Sequence, residues 1–386
     1  MRYLIILFIL LLFFAGCREK YDPPLTAASE SLLVVEGNLD PTGTTSIRLT
    51  KTVQLGNPNI ESVNNAILII EGKDNSIRPV PFTGNGYYTS SNLNLLPANE
   101  YRLRIKTQGK EYLSDYVVAK ITPPIDSISW EKSDKGVTIF ANTKDMSNAT
   151  KYYRWTYEET WEYNTFFYSD IINVTDTTFR PRIFPQEDVS KCWTTRVSSN
   201  LLLANSVRLQ SDIISKAPIT SIPTGDIKLF VRYSILVKQY ALDKNGYNFY
   251  ELLKDYTEGI GSFFAPMPSE IKGNVYCISN PKEPVIGNVT SSTVTEKRIF
   301  ILNDRVRPWP EEYNFPCVPD TVSVFPFSTI LVSQTSSLGA NLRLAASMAL
   351  LPVKDLVTRP PSYIYSNRIC VDCRVRGGTT TRPSFW

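Results

Sequence analysis

Regular alternation of apolar and polar side chains is the feature that most constrains this fold, and it is clearest over residues 152–163. A period of two places successive side chains on opposite faces of a β-strand, so this run predicts one long strand. Its aromatic face would carry Tyr153, Trp155, Tyr157, Trp161 and Tyr163. Such a stripe is typical of a sheet core, and the alternative is an aromatic platform that binds a sugar or a peptide. We favour the sheet core, and these five residues are the candidate binding surface under the alternative.

Short alternating segments separated by turn residues predict an immunoglobulin-like β-sandwich over residues 31–122. A corner at Pro97 is followed by Tyr101 on the next predicted strand, which resembles the tyrosine corner of immunoglobulin-like sandwiches. We therefore expect the ring of Tyr101 to enter the core, beside Leu103 and Ile105, while its hydroxyl binds backbone.

The sequence Thr122-Pro123-Pro124 marks the predicted junction between two domains, because proline cannot donate a ladder hydrogen bond and favours extended backbone. Residues 125–386 are predicted to form a larger β-rich domain with one amphipathic helix near residues 244–258. Asp243 is placed to cap the start of this helix, and Gly259 is placed to end it. The predicted fold class is mainly β, an N-terminal sandwich followed by the larger β-rich domain.

The first sixteen residues have the layout of a cleaved signal peptide, with Arg2 ahead of an apolar run that ends at Phe14 and is too short to span a bilayer. The stretch Phe14-Ala15-Gly16-Cys17 resembles a bacterial lipoprotein lipobox, with Phe14 in place of the commoner leucine. The resemblance implies that Cys17 is acylated, and several acyl chains such as palmitate anchor a protein stably. Residues 17–30 would then be a lipidated leader. The alternative is a plain signal peptide with Cys17 as an ordinary thiol.

Five cysteines follow Cys17, namely Cys192, Cys277, Cys317, Cys370 and Cys373. Disulfides are expected because an exported protein lies in an oxidising compartment, and an odd number leaves at least one thiol free or paired between molecules. The spacing of Cys370 and Cys373 also occurs in redox and zinc sites, but no second pair stands at metal-ligand spacing. We favour structural disulfides, whose pairing the sequence leaves open.

The chain contains 0 histidines, which removes Ser-His-Asp and Cys-His catalysis as well as histidine-bound metals. Glu158, Glu159 and Glu162 cluster, but Glu158 and Glu162 would lie about 13 Å apart along a strand, farther than the carboxylates of glycosidases. We expect all three on a solvent-exposed strand. The 41 Lys and Arg against 37 Asp and Glu, with no concentrated basic face, argue against nucleic acid. We predict no enzyme activity, no cofactor and no metal.

Stretches along nearly the whole mature chain also resemble one family. They are Tyr21 to Pro24, Leu33 to Gly37, Gly86 to Tyr88, Tyr112 to Asp115, Thr122 to Ile128, Tyr152 to Trp155, Cys192-Trp193, Arg232 to Ile235, Gly273 to Cys277, Glu296 to Arg298 and Cys370 to Trp386. With them the chain is similar to the Bacteroidota lipoproteins catalogued as domain of unknown function 4249.

The resemblance implies an outer-membrane lipoprotein, anchored through lipid on Cys17, that is an accessory or substrate-capturing partner of a TonB-dependent β-barrel transporter. It supplies no catalytic residues and no ligand. The alternative function is a cell-surface adhesin or an envelope scaffold. Glu19 and Asp22 resemble the acidic signal that directs some Bacteroidota lipoproteins outward, which favours the cell-surface face over the periplasmic face.

Overall fold

The computed structural model describes residues 31–53, 59–175, 179–258, 271–310, 317, 320–323, 350–356 and 362–386. The predicted signal peptide, Cys17, the leader and Gly259 lie outside these residues. The described chain is mainly β with one long helix, as predicted from the sequence.

The strands up to residue 144 are β1 Leu33–Leu39, β2 Thr44–Lys51, β3 Glu61–Ser62, β4 Ile67–Gly72, β5 Ile77–Val80, β6 Phe82–Gly84, β7 Tyr87–Ser91, β8 Glu100–Thr107, β9 Lys110–Ser114, β10 Val117–Val118, β11 Ile125–Ser133 and β12 Gly136–Lys144. Those that follow are β13 Tyr152–Asn164, β14 Ile171–Asn173, β15 Phe179–Pro181, β16 Lys191–Val197, β17 Leu202–Asn205, β18 Ile213–Pro223, β19 Arg232–Leu242, β20 Val275–Cys277, β21 Val285–Ser291, β22 Val294–Leu302, β23 Asp320–Ser323, β24 Leu350–Leu356 and β25 Ser362–Asn367. The helices are α1 Lys244–Glu258, α2 Asn303–Val306 and α3 Arg368–Val371, with 3-10 turns at Ile227–Leu229 and Cys373–Arg376.

The first sandwich packs two sheets around one apolar core. One sheet has the order β21-β1-β2-β7-β6, with β3 beside β2, and the other has the order β20-β9-β8-β4-β5, with β10 beside β8. Alternate side chains from both sheets fill the space between them, among them Ile47, Leu49, Ile70 and Leu103, which are completely buried. This is the immunoglobulin-like architecture that the alternating segments predict.

The predicted tyrosine corner is present in this sandwich. The hydroxyl of Tyr101 accepts a hydrogen bond from the backbone N–H of Leu96 at 2.8 Å, while its ring is buried in the core. On the opposite face of β8, Arg102 and Arg104 form ion pairs with Glu71 at 2.8 and 2.5 Å. The hydrogen bond from Arg104 lowers the pKa of the Glu71 carboxyl. The alternation along β8 therefore separates an apolar face from a charged face.

Two strands of the first sandwich come from residues 275–291, which the sequence prediction assigned to the second domain. Strand β21 runs parallel to β1, with Leu33 opposite Val285, and β20 pairs antiparallel with β9. Parallel neighbours need a long crossover instead of a hairpin, so no turn signal in the sequence marks this pairing. The first sandwich is therefore built from two separate parts of the chain.

The second sandwich packs the sheet β16-β13-β19-β22, with β17 beside β13, against the sheet β11-β12-β18. Strand β13 is the 13-residue run whose alternation was read from the sequence, and it lies in the interior of its sheet between β16 and β19. Helix α1 follows β19 and begins as predicted, because the N–H of Gly246 donates to the Asp243 carboxylate at 2.6 Å. Tyr247 and Tyr250 of α1 are buried, and Tyr247 packs against Tyr152 at the start of β13.

The junction between the sandwiches is held by hydrogen bonds. The chain passes from the first sandwich to the second at residues 122–124, returns after α1 to form β20 and β21, and passes again at residues 292–293. The two segments that lead from the first sandwich to the second are hydrogen-bonded to each other, since the N–H of Thr122 donates to the Thr293 hydroxyl at 2.9 Å. The hydroxyl of Thr122 also accepts from the N–H of Ala241 on β19 at 3.0 Å. The predicted proline junction is therefore an ordered connection.

Candidate functional site

The aromatic stripe of β13 lies in the core of the second sandwich. Its five side chains are between 0% and 8% exposed, which is too little for a surface platform. They are Tyr153, Trp155, Tyr157, Trp161 and Tyr163, and all belong to one buried cluster. The interpretation of these residues as a binding surface is therefore corrected, because the opposite sheet β11-β12-β18 covers the face that they form.

The glutamates of β13 are also more buried than the sequence prediction allowed. Glu159 is 6% exposed and Glu162 is 8% exposed, so the expectation of a solvent-exposed strand is wrong for both. Glu159 lies on the aromatic face, where Lys228 forms an ion pair with it at 2.8 Å and the hydroxyl of Tyr233 donates to it at 3.1 Å. Burial, and then the charge of Glu159, raises the pKa of Tyr233. This carboxylate is thus held in a structural network.

The cysteines form two disulfides around residues 368–376. Cys192 of β16 pairs with Cys373, and Cys317 pairs with Cys370. Cys277 of β20 is a free, buried thiol. Cys277 is therefore the unpaired cysteine that the odd number requires. The closely spaced Cys370 and Cys373 are each bonded to a different partner. The pair Cys192–Cys373 attaches the end of the chain to the sheet that contains β13.

The outer face of this sheet carries the best candidate for a binding site, at the end that meets residues 379–386. Residue Thr379 pairs with Trp193 of β16, and the chain then turns so that Trp386 lies on the sheet. The indole N–H of Trp386 donates to the Glu162 carboxylate at 2.9 Å, and Lys191 lies 3.3 Å from the other carboxylate oxygen. The buried charge of Glu162 is therefore satisfied by two partners.

Arg232, the cross-strand neighbour of Glu162, lies at the centre of this site. Its guanidinium carbon is 4.2 Å from the ring centroid of Phe300 on β22 and 5.0 Å from that of Trp386. The two rings meet edge to face, with centroids 5.7 Å apart and planes at 78°. The arrangement holds a cation in an aromatic corner, which restricts the orientation of the guanidinium group. We name Arg232, Phe300 and Trp386 the aromatic corner.

A second arginine stands beside the aromatic corner. The guanidinium carbon of Arg298 is 3.6 Å from the ring centroid of Phe385. Arg298 also donates to the hydroxyl of Ser234 at 3.1 Å and lies 3.5 Å from the Glu158 carboxylate. Arg298 thus has polar partners, whereas the side chain of Arg232 contacts only aromatic rings among the residues that the structure describes.

Sequence reasoning did not select the aromatic corner, because its members come from three distant segments. One signal was available, since the stretches that carry the family resemblance include Arg232, Arg298 and Phe385-Trp386. A separate cleft of about 550 Å³ lies at the junction, lined in part by Lys120, Pro124 and Met146. Its lining includes charged residues, but none of the lining side chains is a buried polar group without a hydrogen-bond partner, so the aromatic corner is the stronger candidate.

Among the residues that the structure describes, no helix is both long enough and apolar enough to cross a membrane. Within the same ranges, no group of three or more His, Cys, Asp or Glu side chains is placed to hold a metal ion.

Comparison with known proteins identifies one family. The model described as "Domain of unknown function (DUF4249)" matches residues 18–298. No curated protein matches the chain. Among solved structures, the chain is similar to a two fibronectin type-III domain segment from chicken tenascin, with 10% identity and a TM-score of 0.15 over 54% of this chain and 91% of that chain. We take no residue correspondence from that alignment. The family match ends before Phe300, so two of the three members of the aromatic corner lie beyond it.

Proposed function

The chain belongs to the family described as domain of unknown function DUF4249, and we propose that it is a non-enzymatic lipoprotein of the outer membrane. A lipid on Cys17 would anchor it there, and it would act as an accessory or substrate-capturing partner of a TonB-dependent β-barrel transporter. We further propose that it faces the cell surface, since acidic Glu19 and Asp22 follow the anchor.

The observation that carries this proposal is the short connection between Cys17 and the first strand. Leu33, the first residue of β1, is 16 residues from Cys17, so an extended chain reaches at most roughly 55 Å. Strand β1 is bonded on both sides, to β2 and to β21, so a pull on the lipid is resisted by two rows of hydrogen bonds. This arrangement suits a body held close to partners in the same membrane.

The non-enzymatic part of the proposal rests on how the carboxylates are used. The sequence has 0 histidines, and the glutamates of β13 are engaged in structural contacts. Glu159 is bound by Lys228 and Tyr233, and Glu162 by Trp386 and Lys191. Carboxylates fixed in this way have no free position from which to act as a general acid or base.

The test is a pull-down of the native lipoprotein from its own outer membrane in mild detergent, with partners identified by mass spectrometry. A β-barrel transporter recovered in stoichiometric amount is the expected result. The matched control is Cys17→Ala, which should lose palmitate labelling and should fail to recover the barrel from the membrane fraction. Absence of any barrel, from membranes in which the protein is abundant, would reject the transporter partnership.

A second function, that of an adhesin or envelope scaffold, is favoured by one observation at the junction. The two segments that lead from the first sandwich to the second are hydrogen-bonded to each other through Thr122 and Thr293. A junction fixed in this way suits a protein that holds other parts of the envelope at a constant distance. Binding of the purified protein to matrix or surface polymers, in cells that lack the transporter, would support this function over the first.

A further inference from the structure

We propose that the aromatic corner is a binding site for a carboxylate, in which Arg232 receives the anionic group of a ligand whose apolar part lies on neighbouring exposed rings. The inference goes beyond the proposed function, because it concerns a ligand site on this chain and holds with or without a transporter partner.

The first observation is that the hydrogen-bonding capacity of Arg232 is unused. Among the described residues, the side chain of Arg232 forms no hydrogen bond and no ion pair, and its Nε is buried without a partner. A buried donor without a partner destabilises the fold, and more so when it belongs to a charged group. An incoming oxyanion would supply the acceptors that the protein does not.

The second observation is that Glu162, the carboxylate opposite Arg232, is bound by other residues. Glu162 is opposite Arg232 in the register of β13 and β19. Its two oxygens instead face the Trp386 indole at 2.9 Å and Lys191 at 3.3 Å. Because these partners compensate the charge of Glu162, they also reduce its repulsion of a ligand anion. Lys191 is about half exposed and adds positive charge at the same edge.

The third observation is that aromatic rings hold the guanidinium group of Arg232 in place. The rings of Phe300 and Trp386 both contact the guanidinium and meet each other at 78°, so they restrict its movement before any ligand arrives. A planar guanidinium with free N–H groups matches a planar carboxylate through two parallel hydrogen bonds. Lysine cannot reproduce this geometry, because its ammonium group is a point charge.

One exposed ring of the aromatic corner and one beside it indicate where the remainder of the ligand would lie. Phe300 is 36% exposed and Phe385 is 38% exposed, although both are large apolar side chains. Apolar surface next to a small number of polar or charged donor groups is the usual composition of a small-molecule site. The ligand class is therefore a carboxylate attached to an apolar or aromatic body.

Arg154 provides a matched comparison on the same sheet face. It also contacts two rings, those of Tyr240 and Tyr250, and its Nε is likewise buried and unpaired. It lies opposite Tyr240, eight residues along β19 from Arg232, which corresponds to roughly 27 Å. Tyr250 belongs to α1, so the helix covers this end of the face, and Arg154 should not influence binding at the aromatic corner.

The experiment is a titration of the full mature protein with sodium benzoate at constant ionic strength, followed by the indole N–H signal of Trp386 in a nitrogen-15 NMR spectrum. Neutral benzamide is the control ligand. We expect a saturable shift with benzoate, with a Kd on the order of millimolar, and no comparable shift with benzamide.

The variants are Arg232→Gln, Arg232→Lys and Arg154→Gln. Both changes at Arg232 should weaken benzoate binding about tenfold or more, whereas Arg154→Gln should leave it unchanged. The spectrum of each variant reports whether the fold is intact, and the charge-retaining Lys variant is decisive if the Gln variant does not fold. The proposal is overturned if wild-type protein gives no saturable shift, if benzamide gives the same shift, or if Arg232→Lys binds as tightly as wild type.

Discussion

The indole N–H of Trp155 donates a hydrogen bond to the side-chain oxygen of Gln239 at 2.8 Å, and both side chains are almost completely buried. The amide nitrogen of Gln239 in turn donates to the carbonyl oxygen of Pro123 at 2.9 Å and to the hydroxyl of Thr143 at 3.0 Å. One glutamine thus connects the aromatic strand, the opposite sheet and the junction between the sandwiches.

Replacing Gln239 with leucine should therefore destabilise the protein strongly. The change keeps the volume similar but leaves the indole N–H of Trp155 buried without an acceptor. It also removes one of two donors to the Pro123 carbonyl, which keeps the Thr295 hydroxyl at 3.0 Å. We expect a loss of about 1–3 kcal/mol in the free energy of unfolding. Equilibrium unfolding in guanidinium chloride measures it. The control is Lys238→Gln, which removes an exposed ion pair with Glu296 and should change stability by no more than about 0.5 kcal/mol. Equal effects of the two changes would contradict this role of Gln239.

Tyr101→Phe tests the tyrosine corner in the first sandwich. The ring would stay in the core, but the N–H of Leu96 would lose its acceptor, and we expect the free energy of unfolding to fall by about 1 kcal/mol. Tyr87→Phe is the matched control, because the ring of Tyr87 is partly exposed and stacks with Arg48 on the surface. A Tyr101→Phe protein as stable as the Tyr87→Phe protein would show that the corner contributes nothing measurable.

Asp145 should make stability depend on pH in the acid range. Its carboxylate accepts hydrogen bonds from the N–H groups of Ser147 and Thr150 at 2.9 and 2.8 Å. Burial by itself raises the pKa of Asp145, but the hydrogen bonds outweigh it and lower the pKa from 3.8 to about 2. Because the folded pKa is the lower one, the ionised group stabilises the fold above about pH 4, and this contribution is lost as the pH falls towards 2.

The measurement is the difference in unfolding free energy between wild type and Asp145→Asn at a series of pH values. We expect about 1–2 kcal/mol at neutral pH, after allowance for solvent screening, and a smaller difference as the pH falls from 4 towards 2. Asp134→Asn, at an exposed turn, is the control and should show a difference near zero throughout. A difference for Asp145→Asn that does not change with pH would contradict the assigned pKa shift.

The disulfide pattern predicts a specific peptide map. Digestion without reductant should release the linked peptides Cys192–Cys373 and Cys317–Cys370. Cys277 is free and buried, so it should react with iodoacetamide only after the protein is unfolded. A linked Cys370–Cys373 peptide, or rapid labelling of Cys277 in the native protein, would contradict these assignments.

Local patterns in the sequence were sufficient to predict several secondary-structure elements, but they did not predict which strands pair with each other. The alternation of β13, the corner at Tyr101 and the cap at Asp243 each depend on residues a few positions apart, and the structure contains all three. The pairing of β21 with β1 connects Leu33 to Val285, and nothing in either segment specifies the other. Strand periodicity fixes which residues share a face, but it does not show what covers that face.

The candidate site was hidden for the same reason. The sequence predicts that Glu159 and Glu162 are exposed, because a buried carboxylate needs a partner and none is evident in the neighbouring sequence. The partners are Lys228, 69 residues from Glu159, and Trp386, 224 residues from Glu162. Neither partner can be located from spacing along the chain. Only the folded structure therefore reveals that both carboxylates are buried and that Arg232 has no carboxylate partner among the described residues.

The docking of Trp386 can be tested by its removal. Trp386→Ala would leave Glu162 buried with Lys191 as its remaining partner, and would also expose the rings around Arg232, so we expect a loss of about 3 kcal/mol in the free energy of unfolding. Phe385→Ala is the matched control, because Phe385 is more exposed and contacts Arg298 without any buried hydrogen bond, and its loss should cost about 1 kcal/mol. Limited proteolysis with trypsin provides an independent measurement, since release of residues 379–386 from the sheet should make cleavage between Arg376 and Gly377, just before this segment, faster in the Trp386→Ala protein than in the Phe385→Ala protein. If both proteins are cleaved at the wild-type rate, the indole contact does not hold this segment on the sheet.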